Sequence, residues 1–98
     1  MPAVKQVTIK CDCDCLSYRK ACEIAARAAA RGRGPVRVEL NRVVETTTAA
    51  LARLIALRRE LLRSGRDLQI TGLRGRADHL YQISNMASLL PRDADTAA

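Results

Sequence analysis

Residues 38–54 read VELNRVVETTTAALARL, and the change of rhythm inside this stretch decides the fold. Before it, Val36, Val38 and Leu40 alternate with Arg37 and Glu39, which predicts a strand with one apolar face. Beyond it the spacing lengthens. Leu51, Leu54, Ile55, Leu61 and Leu62 recur at helical intervals and predict a helix over 47–64, with Arg53, Arg59, Glu60 and Arg63 mainly outward. Thr46, Thr47 and Thr48 stand at the junction. Hydroxyls at a helix start sit among unpaired backbone N–H groups, at the positive end of the helix dipole. They can cap the helix, hold an anion or accept a phosphate.

Working outward, residues 4–11 alternate loosely and contain Val, Thr and Ile, so they read as a strand. A helix is predicted over 16–31, with Ser17 as its cap and Tyr18, Ala21, Cys22, Ala25, Ala28 and Ala29 on one side. An alanine stripe lets that helix lie close to its sheet. Gly32, Gly34 and Pro35 end it, and Gly65 fits the position just past the second helix. Leu68 and Ile70 mark a third strand over 67–71, and 72–75 is a turn. A third helix is expected over 75–90, burying Leu80, Ile83, Ala87 and Leu90 before Pro91 stops it. The order β-α-β-α-β-α implies an α/β fold with a mostly parallel sheet. The one-sided alternation of 36–40 places the helices on one face, in two layers.

The 98 residues make one small domain, expected over 1–90, with a mobile polar tail at 91–98. With two Tyr and no Phe or Trp, the core must be built from Leu, Ile, Val and Ala. The net charge is +7, which favours acidic partners. The cations are spread over every element, however, a distribution that also simply keeps a protein soluble. Too few aromatics exist for base stacking, so nucleic-acid binding would rest on charge alone. Residues 1–10 lack a continuous apolar run, and no stretch approaches the ~20 residues needed to span a bilayer. The expected address is cytoplasmic, with four free thiols.

Motifs for catalysis are weak. Cys11, Cys13 and Cys15 in CDCDC share one side if the first strand continues that far, with Cys22 following on the helix. Structural zinc sites favour C-x₂₋₄-C pairs, and no His is near, so the cysteines read as small hydrophobes and no metal or cofactor is expected. His79 lies inside the third helix beside Asp78, with no triad-like context. Gly72-Leu73-Arg74-Gly75 has the G-x-x-G form, but between a strand and a helix it reads as a plain turn. Nothing here argues for an enzyme.

Four segments together resemble the STAS domain, the fold of bacterial anti-sigma factor antagonists. The family's L-x-G-E-L-D after an early strand is matched by Ile9-Lys10-Cys11-Asp12-Cys13-Asp14, and its L-D-L-S-x-V by Val38-Glu39-Leu40-Asn41-Arg42-Val43. The signature D-S-S-G-L falls on Thr47-Thr48-Ala49-Ala50-Leu51, with Thr47 in place of the Asp and Ala50 in place of the Gly. The last helix of the family is similar to Leu80-Tyr81-Gln82-Ile83-Ser84-Asn85-Met86. The resemblance runs over about 9–90.

This resemblance implies a non-enzymatic interaction module. In antagonists of the family a partner kinase, itself the anti-sigma factor, phosphorylates the first Ser after the Asp, and the matching position is Thr48. The implied partner surface is Asn41, Arg42, Glu45, Thr47, Thr48, Ala50 and Arg53. The chain also resembles the small STAS subunit of phospholipid-transport ABC complexes, whose D-T-G-G-L carries a Thr at this place and whose L-S-R-V is similar to Leu40-Asn41-Arg42-Val43. That likeness implies docking on an ABC-transporter ATPase. The family usually has two strands before its first helix, but only about ten residues precede Cys11 here. An exposed sheet edge and a homodimer are the corresponding expectations.

Overall fold

A computed structural model of the chain describes residues 5–92. The strand read from 36–40 is the centre of the sheet. This strand, β3 (Val36–Leu40), lies between β1 (Val7–Lys10) and β5 (Leu68–Gly72), and both pairings are parallel. Helix α1 (Tyr18–Ala30) joins β1 to β3, and α2 (Thr48–Arg63) joins β3 to β5. Both crossovers step in the same direction along the sheet. With a common hand they put both helices on one face, where α1 and α2 pack against each other. The fold is α/β with a mostly parallel sheet, as the alternation of elements predicts.

The register explains the two faces. Ile9, Val38 and Ile70 stand side by side, as do Val7, Val36 and Leu68, and this row forms the floor of the core. On the opposite face Thr8, Arg37 and Gln69 align, then Lys10, Glu39 and Thr71. Thr8, Lys10 and Gln69 are exposed. Parallel sheets are usually covered on both faces and read as unbroken apolar runs; here the alternation marks the face without helices.

Helix ends follow the chemistry of their residues. The Ser17 side chain accepts from the Lys20 N–H at 3.1 Å and caps α1. Helix α2 ends in a Schellman turn, with Gly65 N–H donating to Leu62 O and Arg66 N–H to Leu61 O. The φ of +76° that this turn requires is one Gly65 supplies. Arg66 then reaches the other helix. Its guanidinium donates to the carbonyls of Ala28, Arg31 and Gly34, so one buried side chain closes the end of α1 and the turn after it.

Several expectations are corrected. The first strand stops at Lys10, and Val4 lies outside the described residues. The chain leaves the sheet after Cys11 to build a second, two-stranded parallel ladder, β2 (Cys15–Leu16) with β4 (Glu45–Thr46). Asp14 O draws this ladder together by accepting from the N–H groups of Val44 and Glu45. Two-residue strands have no periodicity to read. Tyr18, Ala29 and Leu62 are exposed, while Ile24 and Leu57 are in the core.

The third helix is the largest departure. Helix α3 spans Gly75–Ile83, and Asn85 in the left-handed conformation turns the chain into a 3₁₀ turn at Met86–Ser88. Its buried side is Ala77 and Tyr81, while Ile83 is 65% exposed and Ala87 also faces out. The break brings Leu90 back so that its carbonyl accepts from the buried Tyr81 hydroxyl at 2.7 Å. Pro91 O then accepts from Ile70 N–H on the outer edge of β5, and Arg92 pairs with Asp78. Pro91 and Arg92 are therefore fixed; the remaining tail residues, 93–98, lie outside the described residues.

Candidate functional site at the carboxyl end of the sheet

Parallel strands followed by helices send every helix N-terminus to the same end of the sheet, where open α/β sheets place their binding sites. Residues 41–48 and 73–76 form this end. Val43, fully buried, anchors the first loop, and the Val43 and Val44 carbonyls accept from the N–H groups of Arg74 and Ala77. The start of α3 is thereby fixed beside β4. Leu73 holds a positive φ of 79° and remains buried, with its N–H donating to Leu40 O. A non-glycine residue in this region stores strain, of order 1–3 kcal/mol.

The three threonines have separate tasks. The Thr46 hydroxyl donates to Leu16 O at 2.8 Å and ties β4 to β2. Thr47 is the N-cap of α2 and accepts from Ala50 N–H at 3.1 Å. Thr48, the first helical residue, is exposed, and its side chain makes no hydrogen bond to the described residues.

The other expected site residues divide clearly. Asn41, Arg42 and Glu45 are exposed around the threonines, and Arg53 is half-buried one turn along α2. Thr71 Oγ1 lies 3.4 Å from Asn41 Oδ1, a long contact that orients the amide. Ala50 is 0% exposed and is removed from the surface set. Its methyl group points into the core because position 50 lies on the same side of α2 as Leu54, Leu57 and Leu61. Ala50 thus presents nothing to a partner.

Sequence reading missed Arg74 and Arg76. Both are exposed at the start of α3, and Arg76 lies 3.6 Å from the Glu45 carboxylate in a solvent-exposed pair. The only signal for them was the G-x-x-G turn, whose positive φ values at Gly72 and Gly75 return the chain toward β4. With Arg42 they make the face cationic. A cleft between the ends of β1 and β3 adjoins this face, lined by Lys10, Cys11, Asp12, Glu39, Asn41 and Arg42. His79 is exposed. Asp78 is held below the usual carboxylate range by its hydrogen bond from Arg92, against the opposing effect of partial burial.

No known protein family matches this chain, and neither curated proteins nor solved structures show significant similarity to it. No helix among the described residues is long and apolar enough to cross a membrane.

Proposed function

We propose that the protein is a STAS-type, non-enzymatic interaction module that acts as an anti-sigma factor antagonist. Its docking face is Asn41, Arg42, Glu45, Thr47 and Thr48, with Arg53, Arg74 and Arg76 beside them. The observation that carries the reading is the division of labour among the threonines. Thr46 holds a strand and Thr47 caps the helix, which leaves Thr48 for recognition. A phosphoryl group on Thr48 would sit at a helix N-terminus, where the dipole accommodates it without unfolding α2. It would add about −1.5 to −2 charges to a face rich in Arg. Regulation then works by lowering the local positive charge that a partner meets.

The test is affinity purification from native cells, followed by incubation of the pure protein with the recovered ATP-binding partner. Intact-mass measurement is expected to show one added phosphate, lost in Thr48→Ala and kept in Thr47→Ala. Thr48→Glu is expected to weaken the complex about tenfold, or about 1.4 kcal/mol. Phosphate that persists in Thr48→Ala overturns the assignment of Thr48. Recovery of an ABC ATPase and permease instead assigns the same face to transporter docking.

A further inference from the structure

We propose that the layer formed by α1 and α2 binds the phosphate backbone of double-stranded nucleic acid, on a surface separate from the Thr48 face. Cations lie on every element of the chain, but acids do not. Residues 18–33 and 48–63, the two helices with the turn after α1, hold nine basic and two acidic residues, and the rest of the chain holds eight of each. One layer of the fold therefore carries the whole net charge of +7, while the remainder is balanced.

Most of this charge is free. Lys20 is matched by Glu23 at 3.4 Å and Arg58 by Asp67 at 2.8 Å. Arg19, Arg27, Arg31, Arg33, Arg59 and Arg63 are exposed, and none of their guanidinium groups forms an ion pair or hydrogen bond with another described residue. The only other acid on the layer is Glu60. Both helices run opposite to the parallel strands and pack side by side, so their carboxyl ends share one end of the molecule. All of the six but Arg19 gather toward that end, away from Thr48. Helix dipoles account for Arg27 and Arg63, which stand in the last turns, but give no reason for Arg19, Arg33 or Arg59. Like charges so gathered repel one another, and an anionic partner relieves that repulsion. Exposed Ala26, Ala30 and Ala52 are interspersed among them, and their short side chains let a rigid polyanion come close.

The side chains select the partner. Eight of the nine basic residues are Arg, whose planar fork pairs with phosphate oxygens through two parallel bonds. The chain has no Trp or Phe to anchor a basic helix in a lipid interface, nor a series of rings on which single-stranded bases could stack. A duplex needs neither, because it displays phosphates on a rigid rod and is held through them without sequence preference. Helices of 13 and 16 residues are about 20 and 24 Å long, the span of roughly six or seven base pairs.

Fluorescence anisotropy of a short labelled DNA duplex of arbitrary sequence tests the surface. At about 50 mM salt the full chain is expected to bind with a micromolar Kd, and log K should fall with log salt at a slope of about −4 to −5, as for about five phosphates. Arg59→Gln/Arg63→Gln, on the exposed side of α2, should fold normally by circular dichroism. It should weaken binding at least about tenfold and make the slope shallower by about 2. Lys5→Gln/Lys10→Gln removes the same charge at and before β1 and should bind within about twofold of the parent. Equal losses in the two double variants mean attraction by net charge alone and overturn the proposal, as does a parent that fails to bind at about 50 mM salt. Poly-glutamate that displaces the labelled duplex as well as unlabelled duplex does assigns the surface to an acidic protein and overturns the nucleic-acid assignment.

Discussion

Thr46, Thr47 and Thr48 are adjacent and chemically identical, yet their substitutions should differ. Thr47→Ala removes the α2 cap and should cost about 1 kcal/mol in urea denaturation, whereas Thr48→Ala should stay within about 0.5 kcal/mol. Two glycines offer a similar contrast. Gly65 and Gly72 both have positive φ, but an added Cβ meets nothing within 4 Å at the first and lies 2.6 Å from the Asn41 Cα at the second. Gly65→Ala should cost about 1 kcal/mol from the backbone alone. Gly72→Ala must also displace the loop that carries Asn41, and should cost at least about 3 kcal/mol. Arg66→Met deprives three carbonyls of a charged donor and should cost about 3 kcal/mol. The Arg66 contacts were not legible in the sequence, because a guanidinium among carbonyls 32 to 38 residues away leaves no local pattern.

At the scale of elements, the long apolar periods were legible and the short ones were not. Strand β3 and helix α2 occupy nearly the residues their rhythm predicts, since each must satisfy one buried face along its length. Residues 75–90 show where periodicity misleads. Leu80, Ile83, Ala87 and Leu90 fit one continuous helical face, but Asn85 breaks the helix, and the returning segment finds better partners in Tyr81 and the β5 edge. Stability measurements can separate the two arrangements. A continuous helix would bury Ile83 and make Ile83→Ala cost 2–5 kcal/mol or so. The exposed position calls for less than about 1 kcal/mol instead. Tyr81→Phe should cost about 1 kcal/mol or more, because the buried Leu90 carbonyl loses its donor.

For the whole molecule, two ion pairs hold the C-terminal half together. Arg92 pairs with Asp78, and Arg58 pairs with Asp67 while also donating to Leu89 O. Asp78 is held below its usual range chiefly by Arg92. For Asp67, burial pushes upward but is outweighed by the hydrogen bonds from Arg58 and from the Leu68 N–H, together with the Arg58 charge. A carboxyl whose folded value is depressed stabilises the fold above its unfolded value of 3.8 and loses that contribution as pH falls through the folded value. Thermal stability should therefore be flat, as far as these groups are concerned, from neutrality to about pH 4, then decline. Asp78→Asn should shrink the acid-dependent loss without adding a transition near neutrality. A second transition between pH 5 and 8 would point to a different group.

The sequence by itself determined the α/β class, the three main crossings of the chain and the location of the threonine-bearing helix start. These depend on hydrophobic period and on residues within a turn of each other, so local chemistry suffices. Tertiary structure decided the β2–β4 ladder, the burial of Ala50 and the arrival of Arg76 beside Glu45. Each of these depends on where the chain goes after an element ends. That path is set by backbone hydrogen bonds between distant segments, such as Val44 to Asp14 and Ala77 to Val44, which any residue but proline can make and no side-chain pattern announces.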